Sequence, residues 1–414
     1  MISVASHSVY SSRLLLFTAV LLGLLTGCKE IKENNKNTDP KANFLTIYEN
    51  NDFSKSFIPI DVQQTSDGGY LVLAKRRITE SSFYGIYLMK ADNTGKFVSG
   101  EELTTDIVNP IYNLMKVGNT FYFFAMDRLS LETKLMRTSE EGTATEVSTI
   151  TDVIYPLYVS LDESTGQFLL QHYNRDELKT GISRISTAGV VTAQREFNIG
   201  FGDFDVEEPV IDHLTGNGKK LPFLTGSAGG GTYYFNGFYN YTLSTVFFSF
   251  NTSTPGLLQG YKDEKCVSSM TYLGSNTFAA SKYAYGTNTY APRATINTAS
   301  GSIANNSDLP GNTILELKSD AQVFLKRITG QGTPVLAYNS DTKNAQIALH
   351  FYDPVSGNFR GSKHFGYSNP YEAGNFAQTS DGGLVVVGTT YVAGRFPRIV
   401  LIKISQEELN KDIH

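Results

Sequence analysis

The ten residues Gln64-Thr65-Ser66-Asp67-Gly68-Gly69-Tyr70-Leu71-Val72-Leu73 return near the other end of the chain as Gln378-Thr379-Ser380-Asp381-Gly382-Gly383-Leu384-Val385-Val386-Val387. Nothing else in the sequence restricts the fold as much. Asp-Gly-Gly makes a tight turn with positive φ, and the β-branched and aliphatic residues behind it read as a strand leaving that turn. Each copy is followed by one more strand, Ile86 to Lys90 and Ile399 to Lys403. A unit of this kind at both ends of a 414-residue chain predicts a repeat architecture.

The third strand and a turn glycine recur in between: Leu135 to Ser139 with Gly142, Ile182 to Ser186 with Gly189, Val246 to Phe250 with Gly256, Ala294 to Ile296 with Gly301, and Ala348 to Tyr352 with Gly357. With Gly95 and a degenerate turn after Lys403 these make seven units, averaging about 52 residues against roughly 40–50 for a propeller blade. The expected fold is all-β: a seven-bladed β-propeller of four-stranded antiparallel blades over residues 44–409, with six or eight blades as alternatives. A β-sandwich has no need of seven similar periods. Only a polar tail follows the last third strand, so the last blade lacks an outer edge. The strand-like run Asn43 to Tyr48 stands before the first blade's own first strand and would close the ring as the outer strand of the seventh blade. The repeat resembles the Thr-Ser-Asp-Gly-Gly propellers of Bacteroidetes secreted and surface proteins, although only the first and last blades carry the full motif.

Ahead of the repeats, Arg13 precedes the apolar run Leu14 to Leu25, which is too short to span about 30 Å of hydrocarbon and reads as a signal peptide. Leu25-Thr26-Gly27-Cys28 resembles the lipobox of bacterial lipoproteins, which implies cleavage after Gly27 and a lipid on Cys28. The expected domains are a signal over 1–27, the lipidated Cys28 with a polar tether over 28–43, the propeller, and a tail over 410–414. Lys29 in place of Asp at the second position implies outer-membrane delivery, with the periplasmic or surface side left open. Two cysteines make no disulfide framework, and with Cys28 lipidated Cys266 reads as a buried thiol. A formal charge of −5 argues against nucleic acid as a partner.

In an up-and-down blade the A–B and C–D turns share one face and the B–C and D-to-A loops the other. The longest interval falls in the fourth blade, where the run Gly226 to Tyr241 is assigned to the B–C loop and Asp203, Asp205, Glu207 and Glu208 to the preceding D-to-A loop. The expected ligand-binding face therefore carries Tyr234, Tyr239, Tyr285 and Tyr290 as stacking residues, with Arg76, Arg395 and Arg398 across the ring to meet carboxylates or phosphates. The bland reading of the tyrosines is propeller packing, and of the four acids solvated loop charge, since their spacing matches no EF-hand. The Gly-rich run lacks the Lys-Ser/Thr ending of a phosphate loop. No histidine stands in HExxH or HxH spacing, and no Gly-x-Ser-x-Gly elbow occurs. No catalytic residue, metal or cofactor is assigned. The function expected is a lipid-anchored binding or scaffold module for a glycan, peptide or envelope protein, the alternative being a glycan-active hydrolase or lyase built from loop carboxylates.

Overall fold

The computed structural model describes residues 42–48, 55–79, 81–200, 206–252, 254–319, 321–366, 369–392 and 396–414. Cys28, Asp203, Asp205 and Arg395 lie outside the described residues.

The repeated motif closes into a turn that its own residues dictate. Gly68 sits at φ +81°, where a side chain is strained, and a Cβ on Gly69 would lie 2.5 Å from the Ala91 carbonyl oxygen. Asp67 Oδ1 accepts from Thr65 Oγ1 at 2.5 Å, from the Gly69 amide at 2.9 Å and from Lys90 Nζ at 2.9 Å. Lys90 belongs to the third strand, so the ion pair fastens the turn to a strand that does not flank it. The second copy repeats this with Thr379 and Lys403 on Asp381 at 2.5 and 2.9 Å. The leading glutamine reaches the preceding blade in each case. Gln64 Oε1 accepts the Ser380 amide at 2.7 Å, and Gln378 Oε1 accepts the Thr329 amide at 2.9 Å.

Seven antiparallel sheets follow one another around a ring. Counting strands A to D outward, blade 1 is Phe57–Gln64, Tyr70–Arg76, Gly85–Ala91 and Phe97–Glu102. In blade 2 the A strand is broken into Ile107–Val108 and Met115–Val117, with Asn109 at φ +49° and Pro110, which has no amide to donate, in the gap. Its other strands are Thr120–Asp127, Glu132–Thr138 and Ala144–Ile154. Blade 3 is Pro156–Asp162, Gln167–Asn174, Lys179–Ile185 and Val191–Asn198. Blade 4 is Leu224–Ser227, Tyr233–Tyr239, Thr242–Phe248 and Gly256–Gln259, extended by Ile303–Asn305 in parallel. Blade 5 is Lys265–Gly274, Thr277–Ala284, Thr287–Thr295 and Asn312–Thr313. Blade 6 is Val323–Gly330, Thr333–Asp341, Ile347–Tyr352 and Phe359–Phe365. Blade 7 takes Tyr371–Gln378, Leu384–Val392 and Phe396–Ile404 from the end of the chain and Phe44–Tyr48 from its start. The closing strand runs antiparallel to the last one, Phe44 opposite Lys403 and Tyr48 opposite Ile399. The seven-bladed ring and its closure match the sequence expectation.

The core lies between blades. In strand B of blade 1, Leu71 and Leu73 pack toward Phe121 and Phe123 of blade 2, while Tyr70 and Val72 pack toward Val385 and Leu401 of blade 7. Both faces are buried, so these strands read as unbroken apolar runs rather than alternating ones. Phe44 and Tyr48 join the layer between blades 7 and 1. The Phe44 ring lies where a Cβ on Gly95 would be, and Tyr48 donates its hydroxyl to Gly95 O at 2.7 Å.

Two segments differ from expectation. The extra length of blade 4 does fall on the B–C and D-to-A face, but in the connection from blade 3, as helix α1 (Glu207–Thr215). The run Gly226 to Tyr241 is no B–C loop: Ala228 to Thr232 form the A–B turn on the opposite face, and Tyr233–Tyr239 is strand B. Three glycines in a row suit that turn because Gly229, Gly230 and Gly231 all have positive φ, from 60° to 77°. The polar tail supplies no fourth strand, as expected, yet it is ordered. Gln406–Asp412 form helix α2, capped by Ser405 Oγ on the Glu408 amide, with Leu409 and Ile413 fully buried against blade 6.

Candidate functional site

Polar side chains meet across the centre of the ring. Asp61 of blade 1 is fully buried and accepts the amides of Val62 and Leu114 at 2.8 and 2.7 Å. Burial pushes its carboxyl up, and Lys326 of blade 6, 4.0 Å away, opposes that shift. Asn113 of the blade 2 inner connection donates to Tyr158 OH at 3.2 Å and accepts from Asn375 Nδ2 of blade 7 at 3.1 Å, while Tyr112 donates to Gln322 at 3.1 Å. Inner-strand side chains of different blades thus satisfy one another. A cavity of about 80 Å³ remains among Tyr112, Tyr158, Thr225, Ser268, Gln322 and Asn375.

Helix α1 packs on the B–C face over blades 2 to 5. Val206, Val210 and Leu214 share one apolar cluster with Val108 of blade 2, Leu157 of blade 3, Phe223 ahead of blade 4 and Cys266 of blade 5. Asn109 is the latch: its side chain donates to Leu214 O at 2.9 Å and accepts the Tyr84 amide at 3.1 Å, joining the helix C-terminus to blades 1 and 2. Glu207 and Glu208 sit in the first turn, where the helix dipole favours acids, and Pro209 costs little there. His213 Nδ1 accepts the Leu221 amide at 2.9 Å. Burial, reinforced by Lys75 and Lys220, holds its pKa down at about 3, so the imidazole is neutral.

Beside the helix the face opens into a groove of about 220 Å³ lined by Glu208, Asp212, Lys219 and Asp263. Next to it Tyr261 and Tyr285 stand 46% and 68% exposed, their ring centroids 6.4 Å apart. The first comes from the blade 4 to blade 5 connection and the second from the B–C turn of blade 5. The two are tied together by the Tyr285 amide on Glu264 O at 3.0 Å.

Of the stacking residues named from sequence, only Tyr285 presents a free ring. Tyr234 is 3% exposed and donates to Met270 O at 3.2 Å, and Tyr290 is fully buried and stacked on Tyr338 at 4.2 Å. Tyr239 packs edge-on to Phe197. Arg76 and Arg398 are also committed within the fold. Arg76 donates to Leu103 O at 3.2 Å, and Arg398, 6% exposed, donates to Lys55 O at 2.7 Å. Tyr261 and helix α1 escaped sequence reading. The only signal for Tyr261 was its place in a short polar link between two strands. Among the described residues, one group can bring three metal-ligating atoms together, Glu316, His350 and His364, on and beside the outer strands of blade 6.

No family model matches the chain, and no curated protein matches it. Solved structures do. The β-propeller domain of the trilobed protease from Pyrococcus furiosus, which has an open velcro topology, is 10% identical over 86% of this chain and 98% of its own, with a TM-score of 0.44. The α-L-arabinanase of Penicillium chrysogenum is 12% identical over 89% and 98%, with a TM-score of 0.42. The core factor of S. cerevisiae reaches 0.51 at 7% identity, over 87% of this chain and 60% of the other. At such identities the likeness is one of fold: this chain is a seven-bladed β-propeller.

Proposed function

We propose that the protein is an outer-membrane lipoprotein, anchored through Cys28, whose propeller binds a ligand or partner on its B–C face. The observation that carries the binding reading is the division of labour on that face. Helix α1 packs over blades 2 to 5, and the inner-strand side chains at the ring centre pair with one another. The neighbouring surface instead holds out two tyrosine rings beside carboxylates. Paired exposed tyrosines supply flat apolar area with hydroxyl donors at low entropic cost, which suits a sugar ring or an aromatic or cationic peptide side chain. The double variant Y261A/Y285A tests this on glycan and peptide arrays, with V355S on the opposite face as control. Val355 is 76% exposed in the C–D turn of blade 6. Capture by the tyrosine variant is expected to fall at least about tenfold, in keeping with loss of interface aromatics, while V355S stays at the wild-type level. Equal capture by all three proteins would remove the binding surface from this face.

A further inference from the structure

Strands C and D of blade 6 put two histidines on one side of the sheet. His350 lies opposite Ser362 and Ala348 opposite His364, so the two histidines are diagonal neighbours two residues apart in register. Their rings are 6.0 Å apart and nearly perpendicular, and both turn Nε2 to the same carboxylate: His350 at 2.6 Å from Glu316 Oε1, His364 at 3.0 Å from Glu316 Oε2. Glu316 arrives from a separate stretch, the connection between blades 5 and 6. Its carbonyl oxygen accepts the Lys343 amide at 2.8 Å, and Leu317 bridges to Thr342, so the backbone that delivers it is pinned to the B–C turn of blade 6.

The surroundings separate an anchored side from an open one. His350 is buried, with the Tyr290 ring edge-on at 5.6 Å and Phe359 at 6.4 Å, so its imidazole is fixed in place. Its Nδ1 makes no hydrogen bond, so the Glu316 carboxylate alone holds the proton on Nε2, and Nδ1 is open to take that proton when Nε2 turns its lone pair to a cation. The side chains of His364 and Glu316 are 26% and 42% exposed, which leaves the cluster reachable from solvent. Two imidazole nitrogens and one carboxylate form a donor set of borderline softness. It suits Zn²⁺ or its first-row neighbours and not Ca²⁺ or Mg²⁺, which take oxygen. The three ligand atoms lie within 4.8 Å of one another. Around a Zn²⁺ with bonds of about 2.0–2.1 Å they would stand roughly 3.3 Å apart; each Nε2 is already within 3.0 Å of a Glu316 oxygen, and the part-exposed His364 and Glu316 side chains are the ones that would adjust.

We propose that His350 Nε2, His364 Nε2 and a Glu316 carboxylate oxygen bind one divalent first-row transition metal ion, leaving at least one coordination position open on the solvent side. The site is independent of the tyrosine face. It takes the ion in place of the two imidazole-to-carboxylate hydrogen bonds.

The test uses the whole mature chain without an affinity tag, stripped with chelator and titrated with Zn²⁺ by calorimetry and with Co²⁺ by visible absorption. One equivalent is expected, with the d–d bands of four- or five-coordinate Co²⁺ and a Zn²⁺-dependent rise in melting temperature. E316Q and H364A alter exposed side chains and should fold as the wild type does, which the metal-free melting temperature checks. Each should weaken Zn²⁺ binding more than about tenfold and abolish the Co²⁺ bands. H414A, at the exposed terminus, should leave both unchanged. Binding that survives E316Q and H364A, or a wild type that takes up no stoichiometric Zn²⁺, would overturn the proposal and leave Glu316 as a hydrogen-bond bridge between two neutral imidazoles.

Discussion

Lys403 and Lys90 hold equivalent places in their blades, yet their burial differs in a way that separates their energetics. The Lys403 side chain has no exposure and its partner Asp381 12%, whereas Lys90 is 5% exposed and Asp67 60%. Burial alone would raise both carboxyls, but bonds from the threonine and lysine hold them below the usual range, Asp67 at about 2. Such carboxylates add stability above the unfolded pKa that is lost as pH falls through the folded one. Replacing Asp381 by Ala strands a buried ammonium with only the Ile404 carbonyl at 2.9 Å. D381A should therefore cost about 3–5 kcal/mol in urea denaturation. D67A removes a partner that water already screens and leaves Lys90 bonded to Thr65 Oγ1 at 2.5 Å, so its cost should be about 1 kcal/mol or less. Equal losses would mean that the motif acts only through its turn.

The closing strand is the element whose removal discriminates most. It contributes five paired residues to blade 7 and two aromatic rings to the layer between blades 7 and 1. Deleting Phe44–Tyr48 leaves the edge of strand Phe396–Ile404 unpaired, and the melting temperature should fall by about 5–10 °C, while trimming Lys29 to Pro40 should leave it in place. Indistinguishable melting curves would refute closure by this strand. Such elements were legible in sequence because each third strand is apolar and is followed by a glycine at positive φ, as at Gly95, Gly142, Gly189, Gly301 and Gly357. Gly256 kept the rhythm for another reason: it opens strand D, where a Cβ would lie 2.7 Å from Ala299 O. Helix α1 was not legible, since nine residues beginning Glu-Glu-Pro close behind Asp203 and Asp205 look like a charged loop, and its apolar face shows only against four blades at once. The tyrosines misled because a buried ring and a displayed one have the same letter, and strand B of blade 4 takes two of those named. The site at Glu316, His350 and His364 follows no spacing rule, because a strand pairing and an inter-blade connection create it.

At the scale of the whole molecule, the polarity of the ring follows from where the chain enters it. Phe44 meets the C–D turn of blade 1, on the face that also carries helix α2 and the Asp-Gly-Gly turns. The tyrosine pair lies on the other face. Replacing Cys28 by Ser tests the anchor: the variant should accumulate as unprocessed or soluble precursor without incorporated fatty acid, because stable attachment needs more than one buried chain at about 0.8 kcal/mol per CH₂. Normal lipid labelling of that variant would sink the assignment. The antiparallel closure also has a mechanical side. A pull entering at Phe44 along the strand axis loads the five pairs with Lys403 to Ile399 together, in shear, instead of peeling them one after another. The seam of the ring is thus laid so that tension on the leading end of the chain is shared by every rung at once.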